Sequence, residues 1–134
     1  MFSQTIEYAL RAMVHLAAEP TGSASTKEVA KQAGVPGAYL SKVFQHLRRG
    51  GLVHAQRGVG GGISLAKPSD KISLLEIIEA VEPLQRPKGR TVASLATLEK
   101  TMITATAALR DQLASTKLAD VVSVKKGTRR AVKK

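Results

Sequence analysis

One stretch of the sequence, residues 36–50, carries the side chains best suited to binding an anion. Apolar residues at i, i+3, i+4 and i+7 give it one buried helix face, formed by Leu40, Val43, Phe44 and Leu47. The opposite side holds small, polar and basic residues, namely Ala38, Tyr39, Ser41, Lys42, Gln45 and Arg49. Lysine and arginine on an exposed helix face contact phosphates, and polar side chains beside them read base edges. The pattern favours a helix that recognises nucleic acid; a merely solvated face is the alternative.

A glycine-rich segment, Arg-Gly-Val-Gly-Gly-Gly at residues 57–62, is the second candidate for binding. Glycine lets the backbone approach a phosphate closely, and Arg57 at its head can enter a narrow minor groove. A nucleotide-binding loop is disfavoured because its glycines open a helix, whereas a strand pattern, Ile-Ser-Leu-Ala, follows here. A solvated hairpin turn is the other alternative. The residues of this segment predicted to contact DNA are Arg57, Gly58, Gly60 and Gly61.

Catalytic and metal chemistry lack their residues in this sequence. There is no cysteine, which excludes disulfides, thiolate metal sites and cysteine-ligated iron–sulfur clusters. The three histidines, His15, His46 and His54, are too widely spaced to suggest a metal site. No paired carboxylates and no activated nucleophile stand out. We therefore expect neither an enzyme nor a bound cofactor.

The charge of the chain indicates a polyanionic partner. The formal net charge is +11 and the sequence pI about 10.4. Residues 27–57 alone carry six basic side chains and one acidic one, and residues 121–134 carry six basic side chains and no acidic one. Nucleic acid is the first expectation and an anionic membrane surface the second. No apolar run approaches the ~20 residues of a membrane span, so we expect a cytoplasmic protein without a membrane partner.

The elements that would position these residues follow from periodicity and capping signals. Helices are predicted over residues 3–18, 25–34, 36–50, 73–82 and 91–117, and short strands over 52–57 and 63–66. Ser25 with Glu28, and Ser73 with Glu76, have the spacing of capping boxes. Two helices joined by a short turn and followed by a hairpin are typical of a winged helix-turn-helix. The predicted fold is mainly α with a small β-hairpin.

The last long helix has a separate role in this interpretation. Leu95, Leu98, Met102, Ala105 and Leu109 are spaced by 3, 4, 3 and 4 residues, as in a coiled-coil seam, and Leu113 continues it. A helix of roughly 40 Å is longer than a small domain needs, so a second copy of the chain is expected against it. The predicted division is a DNA-binding domain over 1–82, a linker over 83–90, a dimerisation helix over 91–120 and a disordered basic tail over 121–134.

The run YLSKVFQHLRRGGLVHAQRGVGGGISLAKPSDKISLLEIIEAVEP, residues 39–83, resembles the Rrf2 family of bacterial transcriptional regulators, which includes the IscR, NsrR and CymR types. YALRAM in the first helix and TKLADVV at 116–122 also resemble its pattern. The resemblance implies a winged-helix dimer whose long C-terminal helices cross, bound to a palindromic operator. The family's recognition-helix positions match Ala38, Tyr39, Ser41, Lys42 and Arg48, and its wing positions match Arg57 and Gly58.

The sequence departs from this family pattern in two places. Many members hold an iron–sulfur cluster through three cysteines near residues 83–98, and this chain has none there. Ala38 and Ser41 replace the serine and glutamate of the cluster-bearing type, so a different operator is expected. The resulting hypothesis is a sequence-specific regulator, a repressor without a cluster, acting as a homodimer on double-stranded DNA and tuned by an unidentified small-molecule or protein effector or by none. The alternatives are a non-specific nucleoid-type or RNA-binding protein and a protein-interaction adaptor.

Overall fold

Helices dominate the part of the chain that the computed structural model describes, residues 2–56, 62–83 and 95–122. In chain order the elements are α1 (Gln4–Ala17), β1 (Ser23–Ala24), α2 (Thr26–Ala33), α3 (Gly37–Arg49), β2 (Val53–Ala55), β3 (Ile63–Leu65), a 3-10 helix (Ser69–Lys71), α4 (Leu74–Val81) and α5 (Ala96–Ser115). A further helical turn covers residues 118–122. The predicted mainly α fold with a small β-hairpin and a long C-terminal helix is confirmed.

Local signals in the sequence begin and end the helices as predicted. The Ser25 hydroxyl accepts a hydrogen bond from the backbone N–H of Glu28 at 3.0 Å, and the Glu28 carboxylate accepts from the backbone N–H of Ser25 at 3.3 Å. The same reciprocal capping box forms between Ser73 and Glu76 at the start of α4. Gly34 ends α2 with a φ of 70°, a left-handed conformation that favours glycine.

The β-hairpin belongs to a sheet with a third strand. The strand order is β1-β3-β2, with both pairings antiparallel. The short strand β1 was not predicted, because two residues are too few to show an alternating pattern. Strand β1 explains why residue 62 is a glycine, because a Cβ at Gly62 would lie 2.8 Å from the Ala24 carbonyl oxygen. Gly62 therefore serves the packing of the sheet.

A continuous hydrophobic core joins α1, α2, α3, α4 and the sheet. The predicted inner face of α3 is buried throughout, and Leu40 and Leu47 are fully inaccessible. Met13 of α1 and Ile77 of α4 are also fully buried. Because α3 packs on all of these elements, the core sets the direction in which its outer face points.

The chain returns to this core after α5. The long helix ends at Ser115, five residues before the predicted boundary at 120, and Lys117 forms an antiparallel bridge with Ser73. The backbone N–H of Leu118 donates to the carbonyl of Ile72 at 2.8 Å, and the Leu118 side chain is fully buried. Val122 is also buried, and the first two residues of the predicted tail, 121 and 122, belong to a helical turn. The remainder of that tail, 123–134, and the linker beyond Pro83 lie outside the described residues.

Candidate nucleic-acid interface

The predicted recognition face of α3 lies on the surface of the structure. Pro36 precedes the helix with a φ of −58°, close to the helical value, and the apolar side of the helix anchors it to the core. The predicted contact residues of α3 that are exposed are Ala38, Ser41, Lys42, Gln45, Arg48 and Arg49. These side chains therefore form one continuous outer face, which is here called the α3 face.

The α3 face is positively charged and is not neutralised locally. Helix α3 has no acidic residue, and its last turn holds His46, Arg48 and Arg49, where cations complement the helix dipole. Over residues 2–56, 62–83 and 95–122, no ion pair involves the three lysine and arginine side chains of this face. Their charge is therefore available to a polyanion.

Tyr39 differs from the other predicted contact residues. It is half-buried, and its hydroxyl forms a hydrogen bond with the hydroxyl of Thr5 on α1. Its ring meets the ring of Tyr8 edge to face, with centroids 5.2 Å apart and planes at 84°. Gln4 in turn donates to the Tyr8 hydroxyl at 2.8 Å. These contacts fix the first turn of α3 against α1.

Arg11 extends this cluster to the turn between α2 and α3. Its guanidinium lies over the Tyr8 ring, 5.6 Å from the centroid, and donates to the carbonyl of Ala33, the last residue of α2, at 3.4 Å. Sequence reasoning missed Thr5, Tyr8 and Arg11 as positioning residues. The signal in the sequence was the pair Tyr8 and Arg11, an aromatic and a basic residue three positions apart on α1 and outside its apolar stripe.

A small cleft separates α3 from the sheet. It has a volume of about 130 Å³. Four side chains of α3 line one side and three strand residues line the other, with one residue of α2 at the end; they are Ser41, Phe44, Gln45, Arg48, Val53, Ala55, Ile63 and Thr26. Three of the predicted contact residues, Ser41, Gln45 and Arg48, are thus at its edge. This cavity is called the α3–wing cleft below.

The hydrogen-bonded base of the hairpin lies beside this cleft. The backbone N–H of Gln56 donates to the carbonyl of Gly62 at 2.9 Å, which closes the pairing of β2 with β3. The predicted wing contacts Arg57, Gly58, Gly60 and Gly61 lie outside the described residues.

The predicted dimerisation residues fall into two groups on α5. Leu95, Leu98 and Met102 are each about half exposed, whereas Leu109 and Leu113 are partly covered. An ion pair between Arg110 of α5 and Glu79 of α4 joins the second half of the helix to its own chain. Ile103, which the predicted seam did not include, is also about half exposed.

One ionisable group with a shifted pKa, Glu76, lies at the start of α4. Partial burial raises the pKa of Glu76, but the opposing effects are larger in sum. The Lys67 ammonium lies 2.6 Å from its carboxylate, and the Ser73 backbone N–H donates to it at 3.2 Å. The net result is a pKa below the ordinary value of 4.5. This pair supports the α4 cap and is not part of the α3 face.

These elements define a winged helix-turn-helix protein. Helices α2 and α3 flank a three-residue turn, α3 presents the basic outer face, and the β2–β3 hairpin follows directly as the wing. A family model described as Rrf2, iron-dependent transcriptional regulator, matches residues 2–124. The chain belongs to the Rrf2 family.

Similarities to individual relatives and to solved structures support this assignment. The transcriptional regulator IscR of Cereibacter sphaeroides is 47% identical over 78 residues, which are 56% of this chain and 50% of that protein. The structure of CymR, the global cysteine regulator of B. subtilis, superposes with a TM-score of 0.81 at 29% identity, covering 92% of this chain and 97% of that one. T. potens IscR gives a TM-score of 0.77 at 28% identity, with 93% and 88% covered. The chain spans about half the length of the curated relatives it matches.

The family description names iron, and the side chains of this protein do not fit an iron–sulfur cluster. The sequence contains no cysteine to supply thiolate ligands. Among the described residues, histidine, aspartate and glutamate do not gather in groups of three or more that suit a metal ion. In the same part of the chain, no helix is both long and apolar enough to cross a membrane.

Proposed function

We propose that this protein is a sequence-specific DNA-binding transcriptional regulator without enzymatic activity, acting in the cytoplasm as a repressor. The observation that carries the proposal is the exposed α3 face, whose Lys42, Arg48 and Arg49 have no ion-pair partner within the described residues. A basic helix of this kind, followed by a hairpin, suits a major groove with an adjoining minor groove. The family membership supports the same class of function.

The proposed contacts divide by position along α3. We propose that Ala38, Ser41, Lys42 and Gln45, all exposed, contact base edges, and that the exposed Arg48 and Arg49 in the last turn contact phosphates. Arg57, Gly58, Gly60 and Gly61 are the proposed wing contacts. Tyr39 contributes by holding the first turn of α3, since its hydroxyl is bonded to Thr5.

The proposed assembly is a homodimer on a palindromic operator. Helix α5 has no buried residue over 20 positions, and its exposed Leu95, Leu98 and Met102 lie in the predicted seam. A two-fold dimer presents two α3 faces, and two-fold symmetry in the protein selects a pseudo-palindromic site. Without cysteine ligands for a cluster, the signal is proposed to be a small-molecule or protein effector, or regulation is constitutive.

The test begins with selection of bound duplexes from a random library, followed by titration of the selected and a scrambled duplex at several salt concentrations. We expect the selected duplex to contain an inverted repeat and to bind about 10³-fold or more tightly than the scrambled one. Equal affinity for both duplexes would instead identify a non-specific nucleic-acid-binding protein. No binding to either would point to a protein-interaction adaptor.

A charge variant locates the binding face. The triple replacement Lys42→Ala, Arg48→Ala and Arg49→Ala should weaken binding and lower the slope of log K against log salt by about one for each lost phosphate contact. Lys71→Ala is the control, because Lys71 is an exposed basic residue of the 3-10 helix and does not belong to α3. An unchanged slope in the triple variant would place the interface elsewhere.

A further inference from the structure

The α3–wing cleft has an apolar floor and a polar rim. Phe44, Val53 and Ile63 form the floor and are each less than a tenth exposed, and Ala55 adds a methyl group at the edge. The rim consists of Thr26, Ser41, Gln45 and Arg48. An exposed cleft with this distribution suits a ligand unit that is apolar on one side and carries a negative charge on the other.

The proposed function places one strand of DNA across this cleft, and the inference rests on that function. When α3 occupies a major groove and the wing reaches the adjoining minor groove, the sugar–phosphate strand that separates the two grooves must pass between them. The cleft is the space between α3 and the wing strands, so this strand runs over its opening.

The size and lining of the cleft indicate which chemical unit of that DNA strand it binds. A volume of about 130 Å³ is below the roughly 300 Å³ at which ordinary ligand pockets begin, so the cleft suits a small unit and not a typical effector. A deoxyribose ring is such a small unit, and its 2′ carbon carries no polar group. We propose that the α3–wing cleft seats one deoxyribose of each half-site, with Arg48 beside a flanking phosphate.

Charge complementarity supports this occupant. Arg48 has no ion-pair partner among the described residues, and a phosphate adjoins every deoxyribose. A carboxylate near the rim would compete with a phosphate for Arg48, and the one nearest to Thr26 along the chain is that of Glu28 in α2. Its carboxylate is held by the Ser25 backbone N–H in the capping box at the start of α2. The rim therefore offers a cation to the strand.

The proposal gives the protein a preference for DNA over RNA at one sugar. A ribose in the cleft would place its 2′-hydroxyl against Phe44, Val53 and Ile63, whose side chains offer it no hydrogen bond. Burying an unpaired hydroxyl is unfavourable, so a single ribonucleotide at this position should weaken binding about tenfold. A ribonucleotide elsewhere in the half-site should leave the affinity close to that of the all-DNA duplex.

The experiment is a ribonucleotide scan of the selected duplex, with one sugar replaced at a time and the dissociation constant measured by fluorescence anisotropy. One sensitive position is expected in each half-site, on the strand between the major groove and the wing-side minor groove. A 2′-fluoro sugar at that position is the control, because it favours the same ring pucker as ribose without the hydroxyl donor, and it should restore most of the affinity. A flat scan, or equal losses with both sugars, would overturn the proposal.

Two variants of Ala55 test the cleft from the protein side. Ala55→Leu fills the cleft from an exposed strand position and should weaken binding to selected and scrambled duplexes by the same factor, since the sugar carries no sequence information. Ala55→Ser supplies a hydroxyl partner and should reduce the penalty of the single ribonucleotide. Ala18→Leu, an exposed site outside the cleft, is the matched control.

The outcomes separate this inference from the proposed function. If the wild-type protein does not prefer its selected duplex, the proposed function is wrong, and the proposal that the α3–wing cleft binds a deoxyribose is wrong with it. If it binds that duplex tightly but Ala55→Leu binds equally well with an unchanged melting temperature, the cleft is empty in the complex and only this inference is overturned.

Discussion

Helix α1 buries five side chains within its 14 residues, whereas α5 buries none within 20. Both helices carry apolar residues at helical spacing. Those of α1 pack into the core, while Leu98, Met102 and Ile103 of α5, and Leu95 directly before it, remain about half exposed. The same kind of sequence pattern thus marks a surface that is buried inside the chain in one region and a surface that stays exposed in the other. Among the described residues, what distinguishes the two helices is how far the other elements cover them.

The largest effect is expected where the chain after α5 enters the core. Leu118→Ala should lower the free energy of unfolding by about 2–5 kcal/mol, because Leu118 is fully buried and a cavity would remain. Leu98→Ala makes the same chemical change on the exposed part of α5 and should cost far less when both variants are melted under conditions where the chain is monomeric. Equal costs would show that the two leucines have similar surroundings.

The second prediction concerns the partner of α5. Leu98→Asp should raise the dimer dissociation constant at least about tenfold, since a carboxylate would be buried in the proposed seam. Sedimentation equilibrium at micromolar concentration measures this shift. Ala107→Asp, on the opposite side of α5, is the control and should leave the association unchanged. A wild-type chain that sediments as a monomer would exclude the proposed homodimer.

A smaller effect is expected at the contact between α1 and α3. Tyr39→Phe removes the hydrogen bond to Thr5 while keeping the ring on Tyr8, and should cost about 1 kcal/mol of stability. Thr5→Val removes the other partner. A double-mutant cycle in chemical denaturation should show that the two changes are not additive. Additive effects would mean that the hydroxyl pair does not stabilise the position of α3.

The smallest effect is expected at the ion pair of Glu76 with Lys67. Because the folded-state pKa of Glu76 lies below 4.5, the pair stabilises the fold above that pH, and the contribution disappears as the pH falls through the lowered value. Both side chains are 40% exposed, so the contribution should stay under about 1 kcal/mol. Urea denaturation of the wild type and of Glu76→Gln should show curves that differ at pH 7 and converge in acid. A constant difference across this range would contradict the prediction.

Much of the fold could be predicted from local signals in the sequence. Capping boxes at Ser25 and Ser73, and Gly34 after α2, depend on residues close together in the chain, and the structure confirms them. The return of Leu118 to the core could not be predicted from spacing, because it depends on contacts with residues more than 40 positions away. The contact between Thr5 and Tyr39 was hidden for the same reason.

For the candidate site, the sequence predicted which side chains of α3 are exposed. The outer face of α3 follows from the 3.6-residue period, and six of its seven predicted contact residues are exposed. The α3–wing cleft could not be predicted, because its lining comes from four elements, α2, α3, β2 and β3, whose relative placement is set by the core. The dimerisation seam on α5 stays a prediction, and the pairing of Arg110 with Glu79 could not be predicted because it depends on how α5 packs against α4.

The burial of Leu118 also bears on how the protein is made. A ribosome synthesises the chain from the N-terminus, so the core formed by α1 to α4 lacks one of its fully buried side chains until residue 118 has emerged. By then the whole of α5 has already been synthesised. The completed winged domain and its long helix therefore become available at the same stage of translation, and a nascent chain released before that stage would carry an unfilled core.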